Sequence, residues 1–147
     1  MSENKQKDLL PLLVILESIG KIQVYIKGYT DASDFFWAEE QIRFNATLML
    51  LTNIGEYCGR VSNQLKSEYS TVSWKQVKGL RNRIAHDYTG IDYEVVFDIV
   101  QHDLPILKSE LENIIKEEVQ KVVFDKAECE VARQSIFYKH VDFNHFL

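Results

Sequence analysis

Four polar residues near the middle of the chain have types and spacings that could act on a phosphodiester. Arg81 and Tyr88 are seven positions apart, and Asn82 and His86 are four apart, within a stretch of helical periodicity. At about 100° per residue, these spacings place each pair on one side of a helix, in two neighbouring stripes. Arginine offers phosphate a planar fork of donors, and histidine can move protons near neutral pH. On this geometry alone, a patch for phosphate chemistry and an ordinary solvated helix face both stay open.

Positive charge surrounds this stretch. Lys75, Lys78 and Arg83 are candidate contacts to a nucleic-acid backbone. Between Arg60 and Tyr88 there are six basic residues and two acids, whereas the whole chain has a net charge of -5. That net charge excludes a globally basic nucleic-acid binder, but a local positive surface can still attract phosphates. Scattered, solvated charge is the alternative reading of the same residues.

An all-α fold is predicted to position these residues. The chain of 147 residues has only six Gly and two Pro, and its apolar residues recur every three to four positions, which favours helices over a turn-rich β fold. We predict an antiparallel up-and-down bundle of four to five helices. The first helix starts near Leu9, with Asp8 as its cap and Gly28 as its stop. The second is expected to run unbroken from Ser33 to Leu65.

The four polar residues fall on a third predicted helix, which runs from Ser73 as cap to Asp87. Gly79 lies on this helix, where glycine costs about 1 kcal/mol relative to alanine. We expect the close approach of another helix or of a ligand to offset that cost. The residues predicted to face the core are Trp74, Val77, Leu80 and Ile84.

The remaining helices are predicted from caps and breakers. Asp92 is expected to cap a fourth helix, which Asp103 and Pro105 should interrupt, because proline fits a helix only in its first turn. A fifth helix should then begin. Its inward residues are predicted to be Ile106, Leu107, Leu111, Ile114 and Ile115.

The chain divides into a helical bundle over residues 1–121 and an aromatic-rich extension over residues 122–147. A short helix is predicted near Lys126–Tyr138, and the extension is expected to pack on the body, on a dimer mate or on another partner. The polar segment Met1–Asp8 does not resemble a signal peptide. The apolar run Leu9–Leu16 contains Pro11 and is too short to cross a bilayer, so no membrane association is expected.

The cysteines and the remaining histidines indicate neither a metal nor a disulfide. Cys58 and Cys129 lack metal-ligand spacing and are expected to be free thiols. His140 and His145 are five residues apart without supporting carboxylate or thiolate ligands, which is weak evidence for a metal. His102 is expected to decorate the fourth helix.

Several short motifs together resemble one family. In Arg81, His86 and Tyr88, four residues separate the arginine from the histidine and one residue separates the histidine from the tyrosine. This spacing resembles the signature of HEPN proteins of the HepT kind. Asn82 matches their polar residue after the arginine. The surrounding matches are Ile54-Gly55-Glu56, Val72-Ser73-Trp74, Gly79-Leu80-Arg81-Asn82, His86-Asp87-Tyr88 and Asp103-Leu104-Pro105. The resemblance covers about Leu9–Lys116. It departs from the family at Val72-Ser73-Trp74, where relatives have Ile-Pro-Trp, and at Met49, where many relatives carry an arginine.

This resemblance implies a fold and a function. It implies a HEPN-like bundle and a cytoplasmic, metal-independent endoribonuclease without a cofactor, with Arg81 and His86 catalytic and Asn82 supporting them. It implies the toxin half of a toxin–antitoxin system of the type VII kind. The implied substrate is RNA, and the family suggests transfer RNA as the class. Glu56 is expected to have a structural role, although orienting Arg81 stays open.

The resemblance also implies partners and regulation. HepT-like proteins form two-fold dimers with their motifs at a shared cleft, and an MntA-like nucleotidyltransferase antitoxin attaches AMP to the motif tyrosine, here Tyr88. Two alternatives remain open at this point. One is a non-catalytic HEPN adaptor that presents substrate to a nucleotidyltransferase, and the other is an inactive, degraded toxin.

Overall fold

Helix α1 provides the most apolar surface of the fold. The computed structural model describes residues 5–85 and 91–147, and α1 spans Leu9–Ile26 with most of its apolar side chains buried and Leu10 and Val24 exposed. Gly28 follows with φ of +89°, a conformation that glycine adopts without strain, so the predicted stop is confirmed. Asp8 does not cap the helix. Its backbone is itself helical, and its carboxylate instead accepts hydrogen bonds from the N–H and hydroxyl of Ser62, at 2.8 and 2.6 Å.

The length of α1 changes one expectation about the N-terminal segment. Its 18 residues have a mean hydropathy of 1.7, so by length and composition this helix could cross a membrane, unlike the shorter run Leu9–Leu16. In the structure, 61% of the helix is buried inside the fold. A core helix meets the same criteria of length and composition, and the burial describes α1 as one.

The predicted second helix, Ser33–Leu65, is wrong as a single element. It consists of α2 (Ala32–Trp37), a 3₁₀ turn (Ala38–Gln41), α3 (Ile42–Arg60) and α4 (Asn63–Glu68). Glu39, Glu40 and Gln41 have φ of 52°, 56° and 67°, in the left-handed region. The turn lets Phe35 and Phe44 pack in one aromatic cluster, with ring centroids 6.3 Å apart. Apolar spacing alone could not reveal this reversal, because both flanking segments keep a helical period.

The other end of α3 has a conventional break. Val61 adopts an extended conformation, and the Ser62 hydroxyl accepts from the Leu65 N–H as the N-cap of α4. The predicted apolar seam is confirmed, since its members are all buried: Thr47, Leu50, Leu51, Ile54, Cys58, Val61 and Leu65.

The later helices begin largely where expected. These are α5 (Trp74–Ala85), α6 (Tyr93–Asp98), a π-helical turn (Ile99–Asp103) and α7 (Leu104–Gln120). Asp92 caps α6 by accepting from the Glu94 and Val95 N–H groups, as predicted. The expected interruption at Asp103 and Pro105 is a wide turn rather than a break, because Pro105 occupies the first turn of α7, where it displaces no hydrogen bond.

The inward face of α7 is confirmed with one exception. Leu107, Leu111, Ile114 and Ile115 are buried, whereas Ile106 is 62% exposed. Ile106 lies in line with the exposed Asn113, seven residues later, so the helical period of α7 itself accounts for its position.

The C-terminal segment lies against the body of the bundle. It contains α8 (Lys126–Arg133), within the range where a short helix was predicted, and two 3₁₀ turns, Ile136–Tyr138 and Phe143–His145. Its buried residues are Phe124, Cys129, Ala132, Val141, Phe143 and Phe146. Both cysteines are buried and free, as expected.

Helix α3 is the central element of the packing, since it lies along both α1 and α5, while α1 also packs on α7. Residues 5–85 and 91–147 contain helices and turns but no β-strand, so the all-α prediction is confirmed for the described chain. Helix α5, which carries the polar motif, is therefore held on one side by the long helix α3.

Candidate functional site

Trp74 fixes the first turn of α5. Its indole N–H donates to the Tyr69 carbonyl at 3.0 Å, and the Cys58 thiol of α3 donates to the Trp74 carbonyl at 3.4 Å. Val72 and Trp74 are buried, so the start of α5 is fixed by apolar packing as well as by hydrogen bonds. Burial raises the pKa of the Cys58 thiol, which keeps it neutral as a donor.

The two faces of α5 divide as the periodicity predicts. Leu80 is buried and Val77 is half-buried, on the side that packs into the fold. Lys75, Lys78 and Asn82 are exposed. Two candidate backbone contacts and the predicted supporting residue therefore lie on the solvent side of the helix.

The structure describes only part of the predicted motif. The backbone of Arg81 and Arg83 is helical and belongs to α5, but their side chains, like that of Ile84, lie outside what the structure describes. His86 and Tyr88 also lie outside the described residues. The grouping of Arg81, His86 and Tyr88 therefore stays a prediction.

Two glycines lie near the motif, and the close approach expected at Gly79 is absent from the described part of the chain. Within the described part of the chain, a methyl group added to Gly79 would meet no atom within 4 Å, so no neighbouring helix approaches closely there. At Gly59 of α3, an added Cβ would lie 3.7 Å from Cε of Lys78. The aliphatic stem of Lys78 therefore crosses α3 at Gly59, and this side chain links the surfaces of the two helices.

A cavity of about 160 Å³ lies between α5 and α7. Its apolar lining comes from Val77 and Leu80 on one side and from Ile99, Leu104, Ile106 and Leu107 on the other. Ser73, Gln76, Asp103 and Glu110 contribute its polar groups. Sequence analysis did not find this cavity, although Asp103 and Pro105 marked the irregular turn that forms one wall.

Glu110 lines this cavity with a carboxyl group. Burial raises the pKa of that carboxyl, and none of the described side chains forms an ion pair with it. A partly desolvated carboxylate beside an apolar hollow is energetically unfavourable. The surroundings therefore oppose the ionised form of Glu110.

The histidines outside the motif are paired with acids. His140 Nδ1 lies 2.8 Å from Glu17 Oε2, and His145 Nδ1 lies 2.6 Å from Glu112 Oε2. His102 pairs with Asp98 at 2.8 Å on the exposed side of the π turn. Across the described ranges, no group of three His, Cys, Asp or Glu side chains is arranged to hold a metal ion. Glu56 is engaged in an interaction of its own.

Comparison with known proteins places this helical arrangement in a family. The family model described as "Ribonuclease HepT-like" matches residues 15–114, from within α1 to within α7. The C-terminal segment with α8 lies outside that match. No solved structure shows a significant match to the chain.

Three relatives illustrate the similarity. "Putative RNase MJ1380" of Methanocaldococcus jannaschii is 36% identical over 98 residues, which is 67% of this chain and 87% of that protein. "Putative RNase MJ0127" of the same organism is 36% identical over 113 residues, 76% of this chain and 91% of that protein. "Probable ribonuclease HepT" of Thermococcus cleftensis is 28% identical over 103 residues, 69% of this chain and 93% of that protein.

Proposed function

This chain belongs to the HepT-like ribonuclease family, and from that premise we propose that it is a metal-independent endoribonuclease toxin. The observation that supports the proposal most directly is the family match over residues 15–114, which contains all of α3 and α5. The exposed Lys75, Lys78 and Asn82 on α5 suit the approach of a phosphate backbone. Relatives whose names describe ribonucleases support the same reaction class.

The proposed chemistry uses the 2'-hydroxyl of RNA as the nucleophile. A base removes its proton, the oxygen attacks the adjacent phosphorus, and the 5'-oxygen leaves with a proton supplied by an acid. His86 is the proposed proton carrier. Arg81 stabilises the charge that builds on the phosphoryl oxygens, and Asn82 supports the site. Because the nucleophile belongs to the substrate, this route requires no metal-activated water.

A homodimer is part of the proposal. Each chain contributes one motif histidine, whereas the reaction needs both a base and an acid. A two-fold axis through a shared cleft supplies two copies of His86. The proposed substrate is RNA, with transfer RNA as the first class to assay, and the proposed location is the cytoplasm.

Tyr88 is the proposed regulatory site. An MntA-like nucleotidyltransferase antitoxin would join the Tyr88 oxygen to the α-phosphorus of ATP, with pyrophosphate as the leaving group. The attached AMP adds bulk and a negative phosphate close in sequence to Arg81, where it would repel the RNA backbone. The same negative phosphate would also weaken the attraction of RNA to Arg83, Lys75 and Lys78.

Cleavage by the purified full chain tests the proposal. Transfer RNA and a mixed cellular RNA are incubated with the protein in EDTA, and the products are resolved on gels. His86→Ala should lower the rate by at least about a hundredfold, the usual share of general acid–base catalysis. His102→Ala, which removes an exposed histidine paired with Asp98, is the matched control and should leave the rate unchanged.

Three outcomes would contradict parts of this proposal. Cleavage that survives His86→Ala would remove this residue from the chemistry. Cleavage that stops in EDTA would contradict metal independence. RNA binding without any cleavage would instead favour the adaptor function, in which the chain presents substrate to a nucleotidyltransferase.

A further inference from the structure

Arg60, the last residue of α3, stacks on an aromatic ring in the same helix. Its guanidinium carbon lies 4.3 Å from the centroid of the Tyr57 ring, one turn earlier. Arg60 is exposed at the surface of the fold. A stacked guanidinium keeps its outer face free for a nucleic-acid base and its edge N–H groups free for a phosphate.

The motif helix borders this stacked pair on one side. The stem of Lys78 passes over Gly59, the residue before Arg60, and α3 packs along α5. Lys75 and Asn82 are exposed on the same helix as Lys78. A positive surface therefore continues from α5 across the end of α3.

Tyr138 of the C-terminal segment lies near Tyr57. Burial raises the pKa of the Tyr138 hydroxyl, and the nearby Tyr57 and Glu17 add to that rise. Two acids lie in this region. Glu56 precedes Tyr57 on α3 and has an interaction of its own. The Glu17 carboxylate accepts from the His140 N–H at 2.6 Å and contacts His140 Nδ1 at 2.8 Å. Because Glu17 is engaged in these contacts, its charge opposes a polyanion less than a free carboxylate would.

We propose that Arg60 and Tyr57, together with Lys78, form a platform for single-stranded RNA that leads from the motif helix toward the C-terminal segment. This inference rests on the proposed ribonuclease function and adds a substrate-binding surface to it. One base would stack on the guanidinium, and Lys78 with the edge of Arg60 would contact neighbouring phosphates. Arg60 is a binding residue in this proposal and takes no part in proton transfer.

A purely structural role for Arg60 makes different predictions. A cation in the last turn of a helix also interacts favourably with the helix dipole. In that case its removal would lower stability slightly and leave RNA affinity unchanged. The decisive readouts are therefore RNA affinity and its dependence on salt.

Binding is measured in the His86→Ala background, so that RNA stays intact, with a short fluorescein-labelled oligouridine and fluorescence anisotropy. Arg60→Gln should weaken binding about tenfold, within the range for loss of one stacked base. It should also reduce the slope of log affinity against log salt by about 0.7, the contribution of one cation on a single strand. Lys116→Gln, which removes one exposed positive charge from α7, is the matched control and should change affinity far less.

Two further variants separate stacking from charge. Arg60→Lys should keep the salt slope but lose most of the affinity that Arg60 contributes, because an ammonium lacks the planar face on which a base stacks. Tyr57→Leu removes the ring under the guanidinium and should weaken binding without changing the salt slope. With His86 intact, Arg60→Gln should raise KM for cleavage and leave kcat within about twofold, since the residue binds RNA away from the reacting atoms.

The results distinguish failure of this inference from failure of the proposed function. If the parent binds and cleaves RNA but Arg60→Gln matches Lys116→Gln in affinity and slope, the platform is wrong and the ribonuclease proposal stands. If the intact chain neither binds nor cleaves any RNA, both are wrong. A fall in kcat alone would also overturn the platform, because it would place Arg60 in the chemistry.

Discussion

The two ends of α7 hold glutamates in opposite environments. Near its C-terminus, Glu118 is fully buried and contacts Lys5 at 2.6 Å, Tyr69 at 2.7 Å and Lys121 at 3.1 Å. Burial alone would raise the pKa of Glu118, but these partners hold it below its usual value. Near the N-terminus, Glu110 lines the cavity beside α5, where burial raises its pKa and no ion-pair partner occurs among the described residues.

This difference separates a firmly bonded half of the bundle from an incompletely filled half. The C-terminal half of α7 is tied to the segment before α1 by Lys5, and to the C-terminal segment by the contact between Glu112 and His145. The N-terminal half faces the motif helix across a cavity of about 160 Å³. Regions that bind and act on ligands are commonly drawn from the less stable parts of a fold. The contrast indicates that stability is concentrated away from α5.

The largest expected effect is at Glu118. Glu118→Gln should lower the free energy of unfolding by about 3 kcal/mol at neutral pH, because it removes the buried charge that binds Lys5, Tyr69 and Lys121 and leaves Glu68 as the remaining counter-charge of Lys5. Chemical denaturation followed by circular dichroism measures this loss. Glu128→Gln, at an exposed position on α8, removes the same charge and should change stability by less than about 0.5 kcal/mol.

The same residue should give the bundle a defined response to acid. The pKa of Glu118 is lower in the folded chain than its unfolded value of about 4.5, so its stabilising contribution is complete above that pH. The contribution is lost as the pH falls through the folded pKa. The stability difference between the parent chain and Glu118→Gln should therefore narrow only below about pH 4.5. If the parent chain and Glu118→Gln were equally stable at neutral pH, the contacts of Glu118 would not stabilise the C-terminal half of α7.

The second effect concerns the contact between α1 and the C-terminal segment. A Cβ added at Gly20 would lie 2.6 Å from both Cβ and the carbonyl oxygen of His140. Gly20→Ala should therefore push the segment off α1 and weaken the bonds between His140 and Glu17, lowering stability by about 1–3 kcal/mol. Thermal unfolding gives the loss, and trypsin cleavage after the exposed Lys139 should become faster.

Gly79→Ala is the matched control for this substitution. An added methyl group there meets no described atom within 4 Å, and alanine favours a helix over glycine by about 1 kcal/mol. Gly79→Ala should therefore raise stability, the opposite sign from Gly20→Ala. If both substitutions stabilise the chain equally, the C-terminal segment does not rest on Gly20 in solution.

Sequence patterns predicted the helices of this fold better than their junctions. The period of apolar residues identified the buried seam of α3 and the exposed side of α5, because both depend on local spacing. It missed the left-handed turn at Glu39, Glu40 and Gln41, since none of these is a glycine and the aromatic rings before the turn pack on the distant rings of Phe97 and Tyr93. Long-range packing of this kind leaves no periodic signal in the residues that turn.

The candidate site shows the same limit. Residue types and short motifs identified the motif helix, and the structure places Lys75, Lys78 and Asn82 on its exposed side. Arg60 was counted only as charge and Tyr57 was not singled out, because the proposed role of this stacked pair depends on how α3 lies against α5. The cavity beside Glu110 likewise forms between two helices, so the sequence pattern of either helix alone could not predict it.

The smallest expected effect tests the incompletely filled half. Because the folded pKa of Glu110 lies above the unfolded value of about 4.5, ionisation destabilises the folded chain as the pH rises from that value through the folded pKa. Glu110→Gln removes this cost and should stabilise the chain by a few tenths of a kcal/mol at neutral pH, with no gain near pH 4. Denaturation curves at both pH values measure the difference, and Glu128→Gln should show no such dependence. A loss of stability at neutral pH would mean that the carboxylate is favourably bonded. The two ends of α7 would then be alike, because partners would stabilise the charged glutamate at each end.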